Sequence, residues 1–356
     1  MEKNINCTVS SHNEWDTLEE VIVGNIEGAR FPTWHFSLQP VLPENQHSNF
    51  QKNSGRSFPQ EQIDLAKTEL DEFVHILEQE GVRVRRPEVV DYSRSFGTPD
   101  WQSTGLYSAM PRDILLVIGN DIIECPLAWR SRYFETNAYR KLLKEYFHSG
   151  ARWSSGPKPE LTDHQYNFDW KELDTFPPEL VVSEFEPTFD AADFMRFGKD
   201  IIAQKSNVTN EFGIEWLQRH IGDDYKIHIV EFEDSHPMHI DATFVPLAPG
   251  KILINPTRVK KVPEMFKNWE ILKAPSPIIP DSHPLYMTSK WINMNILMLD
   301  QKRVIVEKQD EPMITAMKKW GFKPILCNFR NFNTFGGSFH CATVDVRRSG
   351  KLESYF

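Results

Sequence analysis

A hairpin followed by a helix and then a strand recurs along the chain, and such a repeat limits the fold more than any single element does. Residues 195–204 read as a tight hairpin turning near Gly198, residues 211–221 as a helix and residues 225–232 as a strand. The same order returns with a hairpin over 242–256 around Pro249 and Gly250, a short helix over 262–270 and a weak strand over 271–275. It returns again with a hairpin over 293–307, a helix over 311–320 and a strand over 322–329. Upstream, residues 113–126 turn at Gly119 and Asn120 and precede a helical stretch over 137–147. The first unit is split. Residues 18–24 supply a strand, the stripe Ile63, Leu70, Phe73, Val74 and Leu77 a helix that stops at Gly81, and residues 82–87 another strand. Its missing hairpin partner is expected in the carboxy-terminal run 342–348. Five ββαβ units joining chain end to chain start imply an α/β fold closed as a ring, a five-bladed propeller with pseudo-fivefold symmetry about one axis. The competing expectation is a generic α+β sandwich.

A chain of 356 residues would usually form two domains. The nearest candidate linkers, 154–160 and 273–284, are too short and too hydrophobic in their flanks to act as tethers, so residues 1–356 are read as one domain. A net charge of −10 argues against nucleic acid as a partner, because affinity for it rests on neutralising phosphates. Small cationic or zwitterionic substrates fit that charge. Cys7, Cys125, Cys327 and Cys341 show neither paired nor metal-ribbon spacing, which favours a reducing compartment over a disulfide framework. The opening MEKNINCTVSSHNEWD lacks the pattern of a leader, and no stretch reaches membrane-spanning length. A cytoplasmic protein without cofactor or metal is expected, with a homodimer one assembly open to it.

If the units are equivalent, the residues that open each hairpin should converge on the axis. Asp113 opens the second unit, Asp190 and Asp193 the third, and His239 and Asp241 the fourth. Thr288 and Ser289 precede the fifth, and Cys341 opens the closing strand. A thiol, an imidazole and several carboxylates arriving from distant positions suit nucleophilic chemistry on a cationic carbon. Each residue taken singly has a plainer fate: a lone Cys is usually a small buried hydrophobe and a loop Asp usually caps a turn. Cys341 stands out by the Gly336-Gly337 approach, and His239 by alternating with Asp241 so that both project to one face.

At these motifs the chain resembles the arginine:glycine amidinotransferases, within the guanidino-modifying pentein superfamily of five-bladed α/β propellers. The likeness runs from Asn13-Glu14-Trp15-Asp16 through STGLYSAMPRD, AWRSRYFE, GPKP, SEFEPTFDAAD, HPMHIDATF, TSKW and GGSFHCATVDVRR. It extends to the bacterial, cyanobacterial-type members that serve natural-product pathways. The resemblance implies Cys341 as nucleophile, His239 as general acid and base, and Asp190 as the carboxylate that orients His239. It implies Asp113 and Asp241 as guanidinium anchors and Arg258 as the holder of a substrate carboxylate, with Met238, His236, Thr288 and Ser289 also at the substrate site. The activity implied is transfer of the amidino group of L-arginine, through an amidino-cysteine, to an acceptor amine. Glycine is the leading acceptor, giving guanidinoacetate and ornithine. His236 and Thr288 stand where glycine-accepting members have Asn and Ser, which bears on acceptor choice. Competing readings are a hydrolase of the deiminase type, a metallohydrolase using His236, His239 and Asp241, and a binding protein without catalysis. Pro237 argues against the helix on which paired His ligands usually sit.

Overall fold

The computed structural model describes residues 7–172 and 176–356; the first six residues, part of the opening read above for a leader, lie outside them. Five three-stranded sheets share one plan, an antiparallel hairpin whose second strand takes a third strand in parallel. In chain order they are Leu115–Ile118, Asp121–Glu124 and Arg152–Ser155; Phe194–Phe197, Asp200–Ala203 and Lys226–Ile229; Phe244–Ala248, Lys251–Ile254 and Glu270–Lys273; and Leu297–Met298, Arg303–Glu307 and Lys323–Cys327. The remaining sheet joins the chain ends. Leu18–Val23 pairs antiparallel with Thr343–Arg348, from Leu18 opposite Arg348 to Val23 opposite Thr343, and parallel with Arg83–Arg85.

Burial grades across each sheet. The hairpin's first strand is wholly buried at Leu115–Ile118, Phe194–Phe197 and Phe244–Ala248, whereas the third strands keep exposed ends. The crossover helices are amphipathic, as a parallel connection requires. Gln60–Gln79 buries Ile63, Ala66, Leu70, Phe73 and Leu77 on one stripe. Glu211–Ile221 starts where the Asn210 side chain accepts from the Gly213 amide and stops at Gly222, whose φ of 74° an L side chain would strain to adopt. Glu311–Lys319 is capped by Asp310 on the Met313 amide and ends in Lys318 and Lys319, which suit the negative end of its dipole.

Two expectations need correction, and one strand has no counterpart among them. Residues 262–270 form only the short 3₁₀ turn Glu264–Phe266, because Pro263 fixes its start and strand Glu270–Lys273 begins four residues beyond its end. The helix expected over 137–147 begins at Arg140, after the 3₁₀ turn Glu135–Tyr139. The strand Arg152–Ser155 went unread, since its polar sequence carries no apolar alternation.

Buried polar residues from two strands, the amino-terminal segment and the turn Pro111–Ile114 meet in a dense ionic network. Arg196 donates to both carboxylate oxygens of Glu14 at 2.7 and 2.8 Å and to Asp345 at 2.8 Å. Arg112 reaches Asp345 at 2.7 Å, and Arg348 binds the same carboxylate at 2.8 Å. Burial alone would raise the Asp345 carboxyl, but Arg112, Arg348 and Arg196 hold it well below the usual carboxylate range. Removing one member strands buried charge, so Asp345→Asn should cost about 3–5 kcal/mol of unfolding free energy. Urea titration checks this; a loss below about 0.5 kcal/mol, typical of a surface change, would contradict it.

Candidate active site

Single helical turns precede the buried first strands, and they carry the polar residues singled out above. Pro111–Ile114 presents Asp113, Ala191–Asp193 follows Asp190, Ile240–Ala242 contains Asp241 and follows His239, and Lys290–Met294 follows Ser289. His239 sits at φ 58°, a conformation that costs a non-glycine residue about 1–3 kcal/mol and persists only where its surroundings enforce it. Two residues upstream the chain is anchored by Asn207, whose backbone and side-chain amides donate to the Pro237 carbonyl at 2.9 and 3.3 Å.

Turned this way, the His239 ring lies between two carboxylates. Nε2 is 3.0 Å from Asp190 Oδ2 and Nδ1 is 3.6 Å from Asp113 Oδ1. Burial pushes the imidazole toward neutrality, but Asp113 and the hydrogen bond to Asp190 outweigh it and hold His239 well above its ordinary pKa. Beneath them, Arg132 donates to Asp113 Oδ2 at 2.8 Å, approaches Asp190 at 3.5 Å and grips Glu135 with two bonds of 2.7 and 3.1 Å. Asp113 Oδ1 is buried and has no hydrogen-bond partner among the described residues.

The thiol arrives from the opposite side. Asn295 Oδ1 accepts from the amides of Ser338 and Cys341 at 3.2 and 3.0 Å and so fixes the turn that presents Sγ. Gly337 is required there, since a Cβ on it would fall 2.4 Å from Met110 Sδ and 2.8 Å from the Cys341 Cβ. Sγ donates to Asp241 Oδ2 at 3.3 Å, and His340 Nδ1 lies 2.8 Å from the same oxygen. Burial first, then the Asp241 charge, pushes the thiol up to about 12. Burial would also raise Asp241, but its hydrogen bond and charge interaction with His340 hold it below the ordinary range.

Cys341, His239 and Asp241 line a cavity of about 1120 Å³ that also takes in Met238, His236, Arg258, Thr288 and Ser289. Asp190 and Asp113 are not among its lining residues; they meet it through the His239 ring. Arg258 faces the cavity with its Nε 3.0 Å from Asp234 and its Nη1 on Thr243 at 3.1 Å, leaving Nη2 without a hydrogen bond among the described residues. His236 pairs with Glu172 at 3.2 Å, and Ser289 is spent partly on capping its own turn at the Trp291 amide. Asp193, grouped with Asp190 in the sequence, is enclosed instead by Gln204, Ser206 and Thr209 at 2.5–2.9 Å.

The metal reading does not match this arrangement. His236 turns to Glu172, whereas ligand-type atoms of Asp113, His239 and Cys341 lie within 4.8 Å of one another. A dication placed among those would meet the Arg132 guanidinium already bound to Asp113, a repulsion metal sites avoid. Sequence reasoning missed Glu14, Arg132, Glu135, Asn295 and His340. Glu14, Arg132, Glu135 and His340 lie within the motifs quoted above and Asn295 shortly after TSKW, but only mutual distances distinguish them from polar residues of the surface.

No protein-family model matches the chain. It is 71% identical to the L-arginine:L-lysine amidinotransferase of Pseudomonas savastanoi pv. phaseolicola, over 98% of this chain and 96% of that protein. It is 50% identical to the mitochondrial glycine amidinotransferase of Xenopus tropicalis, over 98% of this chain and 85% of that one. Among solved structures, the amidinotransferase of the saxitoxin biosynthetic pathway from Microseira wollei superposes with a TM-score of 0.95 at 55% identity, covering 98% of this chain and all of that one. With identities of this size along nearly its whole length, the chain belongs to the amidinotransferase family.

Proposed function

We propose that the enzyme moves the amidino group of L-arginine through Cys341 to the side-chain amine of a second amino acid. The observation that carries the reading is the meeting of Cys341 Sγ, His239 and Asp113, with Asp241 beside the thiol, at a cavity that has Arg258 in its wall. A guanidinium is resonance-stabilised, so carboxylates must fix its plane by charge-assisted hydrogen bonds. Asp113 Oδ1 and Asp241 suit that task, the first being buried and unpartnered. The resting thiol is held protonated by burial and by Asp241. Entry of the guanidinium cation neutralises that field, and one proton leaves through the open cavity as the thiolate forms.

The thiolate attacks the central carbon of the guanidinium, and His239, charged at rest, gives its proton to the departing ornithine amine. That leaves an amidino group on Sγ and a neutral imidazole. The acceptor amine then attacks the same carbon, His239 takes its proton, and the thiolate departs. Asp190 orients His239 throughout and stabilises the imidazolium.

Arg258 bears on the acceptor. If it holds the donor's carboxylate, the vacated site fits an amino acid of ornithine's shape. Lysine, one methylene longer, can place its carboxylate on Arg258 and its side-chain amine on the amidino carbon together. Glycine, with one carbon between amine and carboxylate, cannot reach both. The 71% identity to an arginine:lysine enzyme favours lysine on separate grounds. Glycine, the acceptor expected from the sequence, is the second reading, supported by the 50% identity to a glycine enzyme, and it needs its own carboxylate contact nearer Cys341.

The same units suggest the larger architecture: residues 1–356 as one domain, a five-bladed α/β propeller. Its support is the shared strand plan, the buried first strands and the pairing of Leu18–Val23 with Thr343–Arg348.

Arginine without acceptor should leave an amidino adduct on the Cys341 peptide in mass spectrometry, and a label on Cys327 instead would sink the mechanism. Agmatine, which lacks the carboxylate, should be a poor donor, and Arg258→Lys should not restore activity because an ammonium lacks the planar fork. Equal use of agmatine and arginine would show that the carboxylate is bound elsewhere. Lysine should yield far more guanidino product than glycine; the reverse ratio would favour the second reading.

A further inference from the structure

Asp193 opens the third unit together with Asp190, yet the proposed chemistry gives it no part. It is wholly buried, and so are the side chains that enclose it, Gln204, Ser206 and Thr209. Its Oδ2 lies 2.5 Å from Thr209 Oγ1 and 2.6 Å from Ser206 Oγ, and its Oδ1 lies 2.9 Å from Gln204 Nε2. A hydroxyl has one hydrogen to give and two lone pairs with which to accept. Both lone pairs of Ser206 Oγ are taken, by the amides of Val208 and Thr209 at 3.2 and 3.1 Å, and Thr209 Oγ1 accepts from the Asp190 amide at 3.1 Å. Among the described residues, each hydroxyl hydrogen is left with Asp193 as its partner. The carboxylate thus fixes the place of both oxygens, and the amides they accept from are fixed with them.

Two arms run from this carboxylate to the pair formed by Asp190 and His239. Through Thr209 it holds the Asp190 amide, while the Asp190 carbonyl accepts from the Asp193 amide at 3.1 Å, so the turn Ala191–Asp193 is clasped at both ends. The Asp190 side chain makes no capping bond to that turn and meets His239 Nε2 at 3.0 Å instead. Through Ser206 it holds the bend 206–209, which the Ser206 amide closes on the Thr209 carbonyl at 2.9 Å. Asn207, inside that bend, donates twice to the Pro237 carbonyl, two residues before His239. One carboxylate therefore ties the backbone of Asp190 to the segment that leads into His239. Asp193, Ser206, Asn207 and Thr209 do not line the cavity, and the side chains proposed to hold arginine, those of Asp113, Asp241 and Arg258, make their hydrogen bonds elsewhere.

We infer that Asp193 is a positioning residue which, through the hydroxyls of Thr209 and Ser206, sets Asp190 and His239 in line for proton transfer. The inference rests on the reading of His239 as the acid that protonates the departing amine. When an arm is cut, arginine still finds its anchors, but the proton comes from a displaced ring.

The leaving group separates proton delivery from every other effect. Arginine expels an amine, which must be protonated as its C–N bond breaks; an arginine analogue with sulfur in place of Nε expels a thiolate, which needs no proton. Either donor leaves the same amidino group on Cys341 Sγ. Thr209→Val keeps the shape of the side chain and removes the arm to Asp190. The rate at which the Cys341 peptide gains the amidino group, read by quenched-flow mass spectrometry, should fall about tenfold or more with arginine, since displacing a reacting group by about 1 Å costs on the order of a hundredfold. With the sulfur analogue it should stay within about twofold of the unaltered enzyme, and Thr209→Ser should restore the arginine rate. Equal losses with both donors, the mark of a loosened fold, or no loss with arginine overturn the inference. Asp193→Ala should show the same selective loss, and a folded Asp193→Ala enzyme without it overturns the inference as well; should that variant not fold, the Thr209 variants decide. His239→Asn tests the underlying reading with the same two donors. A loss no greater for arginine than for the analogue removes that reading and the inference with it, whereas a selective loss in His239→Asn beside none in Thr209→Val removes the inference alone.

Discussion

The buried charge network built on Glu14, Arg196 and Asp345 ties together the parts of the chain that must meet. Glu14 comes from the amino-terminal segment, Arg196 from the strand Phe194–Phe197 and Asp345 from the closing strand Thr343–Arg348. Each ion would be costly to bury alone, and a mispaired arrangement would leave at least one without a counter-charge. The network thus specifies the register of the chain ends more than it adds stability. Its outer members, Arg112 and Arg348, lie next to Asp113 and in the strand that follows Cys341, so fixing the strands also fixes the chemistry.

The site divides into two electrostatic halves. Around His239, Asp113, Asp190 and Glu135 outnumber the cations, and burial raises Glu135 to about 7 against the pull of Arg132. Around Cys341, burial and the charge of Asp241 keep the resting thiol protonated. A guanidinium cation is complementary to both halves, since each presents it a buried carboxylate, Asp113 in one and Asp241 in the other. The strained backbone falls at His239, the residue whose ring lies between Asp190 and Asp113, which is where such strain is commonly found in functional sites.

The repeat was legible because its helices carry a regular apolar stripe and its turns carry glycine at positive φ, as at Gly198 and Gly250. The closing strand could be anticipated because the first unit lacked a hairpin partner, and the observed register runs from Leu18 to Val23. Residues at the start of each hairpin were found for the same reason: equivalent positions in repeated units face a common place. What could not be read was how polar residues pair once there. Arg196 looks like any strand arginine until Glu14, 182 residues away in sequence, is set against it. Helix Glu44–Asn53 went unread because Phe50 is its only buried residue, and a helix without an apolar stripe has no period to detect.

The central claim is that the amidino group rests on the protein between donor and acceptor. It is tested most directly by isotope exchange between labelled ornithine and unlabelled arginine, with no acceptor amine present. A covalent intermediate predicts that label enters arginine in the unaltered enzyme and not in Cys341→Ala. Exchange that appears only when an acceptor is added, or that persists in Cys341→Ala, would contradict the account.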